Sequence, residues 1–260
     1  MPRILPSIFQ WLLDLIFPKY CLCCGKENVY ICADCLAHIP ILKSAHCFIC
    51  GRRSPNGYVC ANCRKKHHPA LSGLLVASDW QNFLLRQLIY EFKYRFVNEL
   101  AAPLSQLMIK FLEAQKFVNF KTDKLTDWQT NKLILLPVPL HKRRQLWRGF
   151  NQSELLGKIV GGHFDIPVRT GILLRCRHTL PQMSVRNKIE RQKNIRGAFM
   201  LNEKTSGEKL AEIKNKIIIL IDDVSTTAAT LEECAKILKP LSPKEIWGLV
   251  LTKGQTNKFR

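Results

Sequence analysis

Two adjacent carboxylates stand between a run of apolar residues and a run of small, hydroxylated residues. The segment is IIILIDDVSTTAAT at 217–230. Neighbouring carboxylates can accept hydrogen bonds from the 2′- and 3′-hydroxyls of a ribose, and backbone N–H groups at a helix N-terminus can hold a phosphate. The segment therefore predicts a site for a ribose 5-phosphate unit. Its candidate residues are Asp222, Asp223, Val224, Ser225, Thr226, Thr227, Ala228, Ala229 and Thr230.

The same string also fits an ordinary junction between a core strand and a capped helix, with the two acids simply exposed. The identity of residue 228 as alanine also predicts its backbone conformation. Alanine tolerates the first turn of a helix but disfavours a positive φ. We therefore expect the loop to close without a left-handed residue at this position.

Four CxxC pairs in the N-terminal quarter of the chain supply a second chemistry. Nine of the eleven cysteines lie between Cys21 and Cys63. Zinc prefers four ligands in a tetrahedron, and thiolates suit it. Eight paired thiolates therefore predict two closed, structural Zn²⁺ sites. The candidate ligands are Cys21, Cys24, Cys32, Cys35, Cys47, Cys50, Cys60 and Cys63.

The pairing of these cysteines is open from the sequence. Their spacing favours a sequential arrangement, in which the first two pairs hold one ion and the last two hold the other, but an interleaved arrangement is also possible. Cys23 is left over because its step from Cys21 is too short for the usual knuckle. Free cysteines or disulfides are the alternative to metal, and the regular pairing disfavours both.

The charge balance is strongly positive. Forty Lys and Arg residues against twenty Asp and Glu residues give a formal net charge of +20 and a pI near 9.7. Such a field favours polyanions: nucleic acid, phosphorylated small molecules or an anionic membrane surface. A basic surface without a specific partner is the alternative. Lysine and arginine interleave with Phe92, Tyr94, Trp147 and Phe150, a pattern suited to backbone contacts with base stacking.

Two basic strings extend the set of groups that can meet an anion. PVPLHKRRQLWRGFNQ at 137–152 follows a predicted strand, and LPQMSVRNKIERQKNIRGAF lies at 180–199. Arginine suits phosphate because its guanidinium makes paired hydrogen bonds. Both strings could equally form a solvated basic surface without a specific ligand. The candidate contacts to pyrophosphate or DNA are Lys142, Arg143, Arg148 and Arg191.

Hydrophobic patterning indicates the elements that would position these residues. Residues 217–221 form the continuous apolar run of a central parallel strand buried on both faces. Alternation of strands and helices predicts an α/β fold with a parallel sheet flanked by helices. Residues 70–113 read as helical, 138–150 as a basic turn and 202–215 as a polar connection. The remaining predicted strands are 133–137, 172–174, 198–201 and 245–251, and the helices are about 151–161 and 227–238.

The chain divides into two predicted domains, 1–69 and 70–260. The first would hold the cysteines and a short apolar helix at 7–16, which docks on the protein or, alternatively, lies in a membrane interface. The N-terminus makes a poor signal sequence and is too short for a transmembrane segment. Clustered cysteines without a secretory signal favour the reducing cytoplasm. Residues 114–131 read as an exposed connector.

The string at 217–230 resembles the phosphoribosyl pyrophosphate (PRPP) signature of type I phosphoribosyltransferases, with Ala228 where a glycine is common. Together with the cysteine pairs and both basic strings, it resembles the ComF family of competence proteins, also called ComFC. The resemblance covers nearly the whole chain and is weakest at 114–131. Residues that match accessory family strings are Lys93, Tyr94, Arg143, Arg148, Gly149, Asn151, Gln152, Gln182, Arg191 and Asn194.

The resemblance implies a type I phosphoribosyltransferase-like fold with an N-terminal double zinc ribbon. It also implies a role in natural transformation, handling incoming single-stranded DNA in the cytoplasm together with competence machinery proteins. PRPP or another 5′-phosphorylated ligand is then the expected small molecule, with Mg²⁺ as a possible companion ion. Two alternatives stay open: a phosphoribosyltransferase acting on an unidentified acceptor, and a PRPP sensor without catalysis.

Overall fold

Strands and helices alternate around a parallel sheet in the computed structural model, which describes residues 18–115, 132–179 and 188–254. Four of the described strands form this sheet in the order β1-β6-β5-β2, with every neighbouring pair parallel. Two short strands, β3 and β4, pair antiparallel beside it. The strands are β1 (Gly73–Ser78), β2 (Leu133–Pro137), β3 (Leu173–Arg175), β4 (Phe199–Leu201), β5 (Ile217–Ser225) and β6 (Glu245–Lys253).

Helices connect the strands and cover the sheet. The longer ones carry buried apolar residues at helical spacing, so each turns one face towards the strands. The helices are α1 (Ala33–Ala37), α2 (Ala61–His67), α3 (Phe83–Tyr94), α4 (Ala101–Ala114), α5 (Lys142–Arg148), α6 (Gln152–Phe164), α7 (Lys188–Ile195), α8 (Gly207–Ala211) and α9 (Ala229–Leu238).

The sheet separates two hydrophobic cores. In β5, Ile217, Ile219 and Ile221 face the core that contains α3, α4 and α6. Ile218 and Leu220 face the opposite core, which contains α9. Side chains alternate across a strand, so a strand buried on both sides must be apolar at every position. The predicted α/β fold, with a parallel sheet flanked by helices, is confirmed.

Four local predictions differ from the structure. Residues 73–78, predicted as helix, form strand β1, because a short apolar run buried on both sides has no periodicity to separate strand from helix. The predicted basic turn contains α5, and the polar connection at 202–215 contains α8. Strand β5 continues to Ser225, so the two aspartates lie within the strand, near its end.

The cysteine-rich segment packs along the outer edge of β1. Ile41 pairs with Ser78, and Tyr58 pairs with Gly73, both in antiparallel bridges. The Leu42 backbone N–H donates to the Ala77 carbonyl at 3.0 Å. An uncovered edge strand is a template for unwanted pairing. The segment therefore closes this edge of the sheet, while the predicted boundary at residues 69 and 70 stays a prediction.

Some predictions fall outside the described residues. These are the apolar helix at 7–16, most of the connector at 114–131, and Gln182. Among the residues that the structure does describe, no helix combines the length and the apolar character needed to cross a membrane.

Candidate functional site

A cavity of about 470 Å³ opens at the carboxyl end of β5. Ligands bind at this end of the strands in open α/β sheets. Helices α3, α5 and α6 form one side of the cavity, and the loop that joins β5 to α9 forms the other. Its volume lies within the range of small-molecule sites. Six predicted loop residues, together with the two aspartates, line it: Val224, Ser225, Thr226, Ala228, Ala229 and Thr230.

Asp222 and Asp223 have different partners. Lys93 Nζ lies 2.9 Å from Asp223 Oδ1, and both side chains are largely buried. Ser153 Oγ donates to Asp222 Oδ1 at 3.0 Å. Side-chain caps at Asn82 and Asn151 begin α3 and α6 and so fix the helices that carry Lys93 and Ser153. The structure thus gives Lys93, which had no derivable role in the sequence, a partner in the site.

The carboxyl group of Asp222 is hard to ionise. Burial is the main reason, and the neighbouring charge of Asp223 adds to it, so the pKa of Asp222 rises to about 7. Lys93, the Asp223 backbone N–H and Ser153 act in the opposite direction without cancelling the shift. A carboxyl group that changes charge near neutral pH therefore lies inside the cavity.

The loop after the aspartates closes through a left-handed residue. Ala228 has φ +60° and ψ 11°, which contradicts the expectation that no left-handed residue would occur there. Its backbone N–H donates to Ser225 Oγ at 3.1 Å, and its side chain is buried. This contact and the surrounding packing hold a conformation that alanine by itself disfavours.

Helix α9 begins directly after this loop without a side-chain cap. Within the loop, Ser225 Oγ accepts the Ala228 N–H. Thr227 Oγ1 is buried and has no hydrogen-bond partner among the described residues. An uncapped N-terminus carries the positive end of the helix dipole. The loop therefore has the chemistry of a phosphate site.

Four arginines line the cavity: Arg86, Arg144, Arg148 and Arg175. Arg144 donates to the Thr179 carbonyl, and Arg175 donates to Thr179 Oγ1, both at 2.6 Å. Burial, with the nearby charge of Arg144, lowers the pKa of Arg175 to about 10. Cations crowded in this way gain most from an anion between them.

Arg175 was not predicted as a site residue. It lies in β3, far from the motif in sequence, and faces Phe199 of β4 across the strand pair. An arginine in a strand of otherwise apolar residues is the signal that could have indicated it.

The four predicted anion contacts occupy different surroundings. Arg148 lines the cavity, and its Nη1 donates to Gln152 Oε1 at 2.9 Å. Lys142 and Arg143 are exposed in the first turn of α5, outside the cavity lining. Arg191 is buried in α7 and does not line the cavity. Contact of any of them with pyrophosphate or DNA stays a prediction.

The four aromatic residues that the sequence grouped together divide into two pairs. Phe92 is fully buried and packs on Phe150, with ring centroids 5.5 Å apart, so this pair belongs to the core. Tyr94 and Trp147 line the mouth of the cavity. The expected stacking role of Phe92 is thus wrong because its ring is inaccessible.

The cysteines form two separate clusters with the sequential pairing. Cys21, Cys24, Cys32 and Cys35 make one, and Cys47, Cys50, Cys60 and Cys63 make the other. Within each cluster the sulfur atoms lie within 4.8 Å of one another. Neither cluster contains Cys23 or a histidine.

The geometry of both clusters suits zinc. Four sulfurs at about 2.3 Å from an ion in a tetrahedron lie about 3.8 Å from each other. Cys24 and Cys32 Sγ are 3.7 Å apart, and Cys50 and Cys60 Sγ are 3.8 Å apart. Gly25 and Gly51 follow the first and third pairs with φ of +75° and +74°, the left-handed turn that glycine permits. The eight cysteines therefore form two structural Zn²⁺ sites.

Comparison with known proteins agrees with both parts of the molecule. Residues 12–65 match the family model of the double zinc ribbon domain, and residues 177–258 match that of the phosphoribosyl transferase domain. Competence protein F of Haemophilus influenzae is 27% identical over 233 residues, which cover 84% of this chain and 95% of that protein. The resemblance to the ComF family is confirmed.

Two further relatives come from other bacteria. Competence protein ComFC of Bacillus subtilis is 25% identical over 82% of this chain and 79% of its own length. The DNA utilization protein YhgH of Escherichia coli K12 is 27% identical over 79% of this chain and 84% of its own length. Each alignment therefore covers about four fifths of this chain.

Solved phosphoribosyltransferase structures overlap this one only loosely. The hypoxanthine-guanine phosphoribosyl transferase of Leishmania donovani superposes with a TM-score of 0.34 at 17% identity, covering 59% of this chain and 71% of that protein. The fold assignment therefore rests on the family model and on the parallel sheet described above.

Proposed function

We propose that this ComF-like chain binds PRPP in the cavity at the end of β5 and handles incoming single-stranded DNA in the cytoplasm during natural transformation. The observation that carries the first part is the convergence of three kinds of group on one cavity. Two carboxylates suit the ribose hydroxyls, the uncapped start of α9 suits the 5′-phosphate, and the arginines suit the pyrophosphate. Mg²⁺ with the pyrophosphate is part of the proposal.

The relatives support the second part. Two of them are named competence proteins, and a third is named for DNA utilization. The net charge of +20 agrees with a polyanionic partner. Partner proteins of the competence machinery would bring the DNA to this chain.

The test of the pocket is a calorimetric titration with PRPP and Mg²⁺. We expect the double variant Asp222→Ala, Asp223→Ala to lose binding, because the ribose then has no acceptor for its hydroxyls. The same variant should fail to restore transformation in a strain that lacks the native gene. Glu203→Ala, Glu208→Ala is the matched control, since it removes two exposed acids outside the cavity. Full transformation by the first variant would refute a role for the pocket.

Transfer of the phosphoribosyl group to an acceptor is the second candidate. The pKa of Asp222, near neutral pH, favours it because a carboxyl group that exchanges its proton at working pH can serve as a general acid or base. Release of pyrophosphate from PRPP in the presence of candidate acceptors would support transfer. Binding and a conformational response without any turnover would instead support a sensor.

A further inference from the structure

A group of aromatic side chains at the mouth of the phosphoribosyl cavity and beside it has no partner in the proposed binding of PRPP. Tyr90 and Tyr94 of α3 lie with ring centroids 5.1 Å apart, and Phe96 meets Trp147 of α5 edge-on at 4.9 Å. Arg148, next to Trp147 in α5, lies over the Tyr94 ring at 5.6 Å. We call these four aromatic residues the aromatic face.

The aromatic face is unusually accessible for side chains of this size. Tyr90 is 52% exposed, Phe96 37% and Trp147 59%. Large aromatic rings are normally buried, and a contiguous exposed group marks an interaction site. The mouth of the cavity accounts for part of the group, since Tyr90, Tyr94 and Trp147 line it, but Phe96 lies outside the lining.

The backbone at Phe96 is strained in a way that favours this arrangement. Its φ is +59°, a left-handed conformation that is rare and strained for a bulky residue. The residue follows the last turn of α3, where the Arg95 and Val97 backbone N–H groups both donate to the Glu91 carbonyl. The turn therefore holds the Phe96 ring at the surface against Trp147, where burial does not compensate for the strain.

Exposed cations lie on the two helices that carry the aromatic face, or next to them. Arg86 and Arg95 are exposed on and beside α3, and Lys142 and Arg143 are exposed on α5. Glu91 is the acidic residue of α3 on this side. Exposed aromatic rings with arginines between them bind single-stranded nucleic acid, because bases stack on the rings and the cations meet the backbone phosphates.

We infer that the aromatic face is a base-stacking site for single-stranded DNA, which begins at the mouth of the PRPP cavity and extends outward to Phe96. The inference rests on the proposed role in DNA handling and places the strand on this chain. The cavity itself is unsuited to DNA, because deoxyribose lacks the 2′-hydroxyl and an esterified 3′-oxygen has no proton for Asp222 or Asp223. The two ligands therefore occupy neighbouring sites, with Arg148 at their boundary.

The experiment measures the fluorescence anisotropy of a labelled single-stranded oligodeoxythymidylate at fixed salt. We expect Phe96→Ala, Trp147→Ala to weaken binding at least about tenfold, since each stacked base contributes about 1–3 kcal/mol. Trp147→Phe keeps an aromatic ring and should stay within about threefold of the wild-type protein. Tyr20→Ala serves as the matched control, because it removes an exposed aromatic side chain from the cysteine-rich segment.

An abasic strand of the same length separates stacking from charge. The wild-type protein should bind it much more weakly, and the double variant should lose little further affinity for it. Unchanged binding of the normal strand by Phe96→Ala, Trp147→Ala would overturn the inference, and so would equal wild-type affinity for the abasic strand.

A PRPP titration distinguishes this inference from the proposed pocket. Asp222→Asn, Asp223→Asn should lose PRPP and retain the strand, because only the cavity uses the carboxylates. Loss of both ligands would indicate one shared site and overturn the inference. A wild-type protein that binds no PRPP, but binds the strand through Phe96 and Trp147, would refute the pocket and leave the aromatic face supported.

Discussion

At the scale of single residues, Asp222 and Asp223 show how two adjacent acids acquire different properties. Asp223 has an ion pair with Lys93, whereas Asp222 has a hydroxyl donor in Ser153. Breaking a buried ion pair costs more than the pair contributes, since one charge is left without compensation. Lys93 therefore supplies a positive partner for the buried Asp223 side chain, whereas burial raises the pKa of Asp222.

The raised pKa of Asp222 predicts a specific pH dependence of stability. Between about pH 4 and 7 the unfolded chain has lost this proton while the folded chain keeps it, so folding stability falls as pH rises. Asp222→Asn removes the titration and should become the more stable protein above pH 7, by up to about 4 kcal/mol. Thermal unfolding from pH 4 to 8 measures this, and an equal advantage at both ends would contradict it.

The sequence could predict the residues of the proposed ligand loop but not the side chains that surround it. The types and the order of residues 222–230 are enough to predict a site for a ribose 5-phosphate unit. Lys93 and Arg175 come from distant parts of the chain, and tertiary packing alone brings them to the cavity. The exposure of Phe96 depends on a local left-handed turn that no hydrophobic pattern encodes.

At the scale of elements, the loop from β5 into α9, where we propose that phosphate binds, closes through one unusual alanine. Ala228→Gly removes the strain of a left-handed backbone from the folded protein. It also increases the conformational entropy of the unfolded chain, and the two effects on the free energy of unfolding nearly cancel. We expect its free energy of unfolding to lie within about 1 kcal/mol of the wild-type value. Ala235→Gly, in the middle of the same helix and also buried, should lose about 1 kcal/mol or more. Urea denaturation compares them, and equal losses would argue against strain at Ala228.

Elements with a clear hydrophobic pattern could be predicted from the sequence, and elements without one could not. Strand β2 has the predicted bounds, and β5 and β6 begin where their apolar runs begin. Strand β1 was hidden because it adjoins a helical pattern, and α5 because charged residues fill it and it buries no residue. A helix that presents arginines to a cavity has no apolar stripe to reveal it.

At the scale of the whole molecule, the zinc-ribbon module has a structural task in closing the edge of the sheet. Cys21→Ser should reduce the bound zinc from two ions to one per chain and lower the melting temperature. Loss of the Cys21 thiolate leaves the first cluster with three ligands. Cys21, Cys32 and Cys35 of this cluster also pack into the main core. Cys23→Ser is the control, because Cys23 lies outside both clusters and is exposed. Metal analysis and thermal unfolding decide, and loss of zinc in the control would contradict the assignment.

The position of β6 bears on how the protein is made. This strand, the last one in the described chain, lies between β1 and β5 and pairs with both. During synthesis on the ribosome, β1 emerges long before the strand that completes its hydrogen bonds. The module that precedes it can meanwhile fold around its metal ions and shield the other edge of β1. A nascent chain starved of zinc would then expose that strand on both edges, so metal supply in the cell should govern the yield of folded protein before it governs any activity.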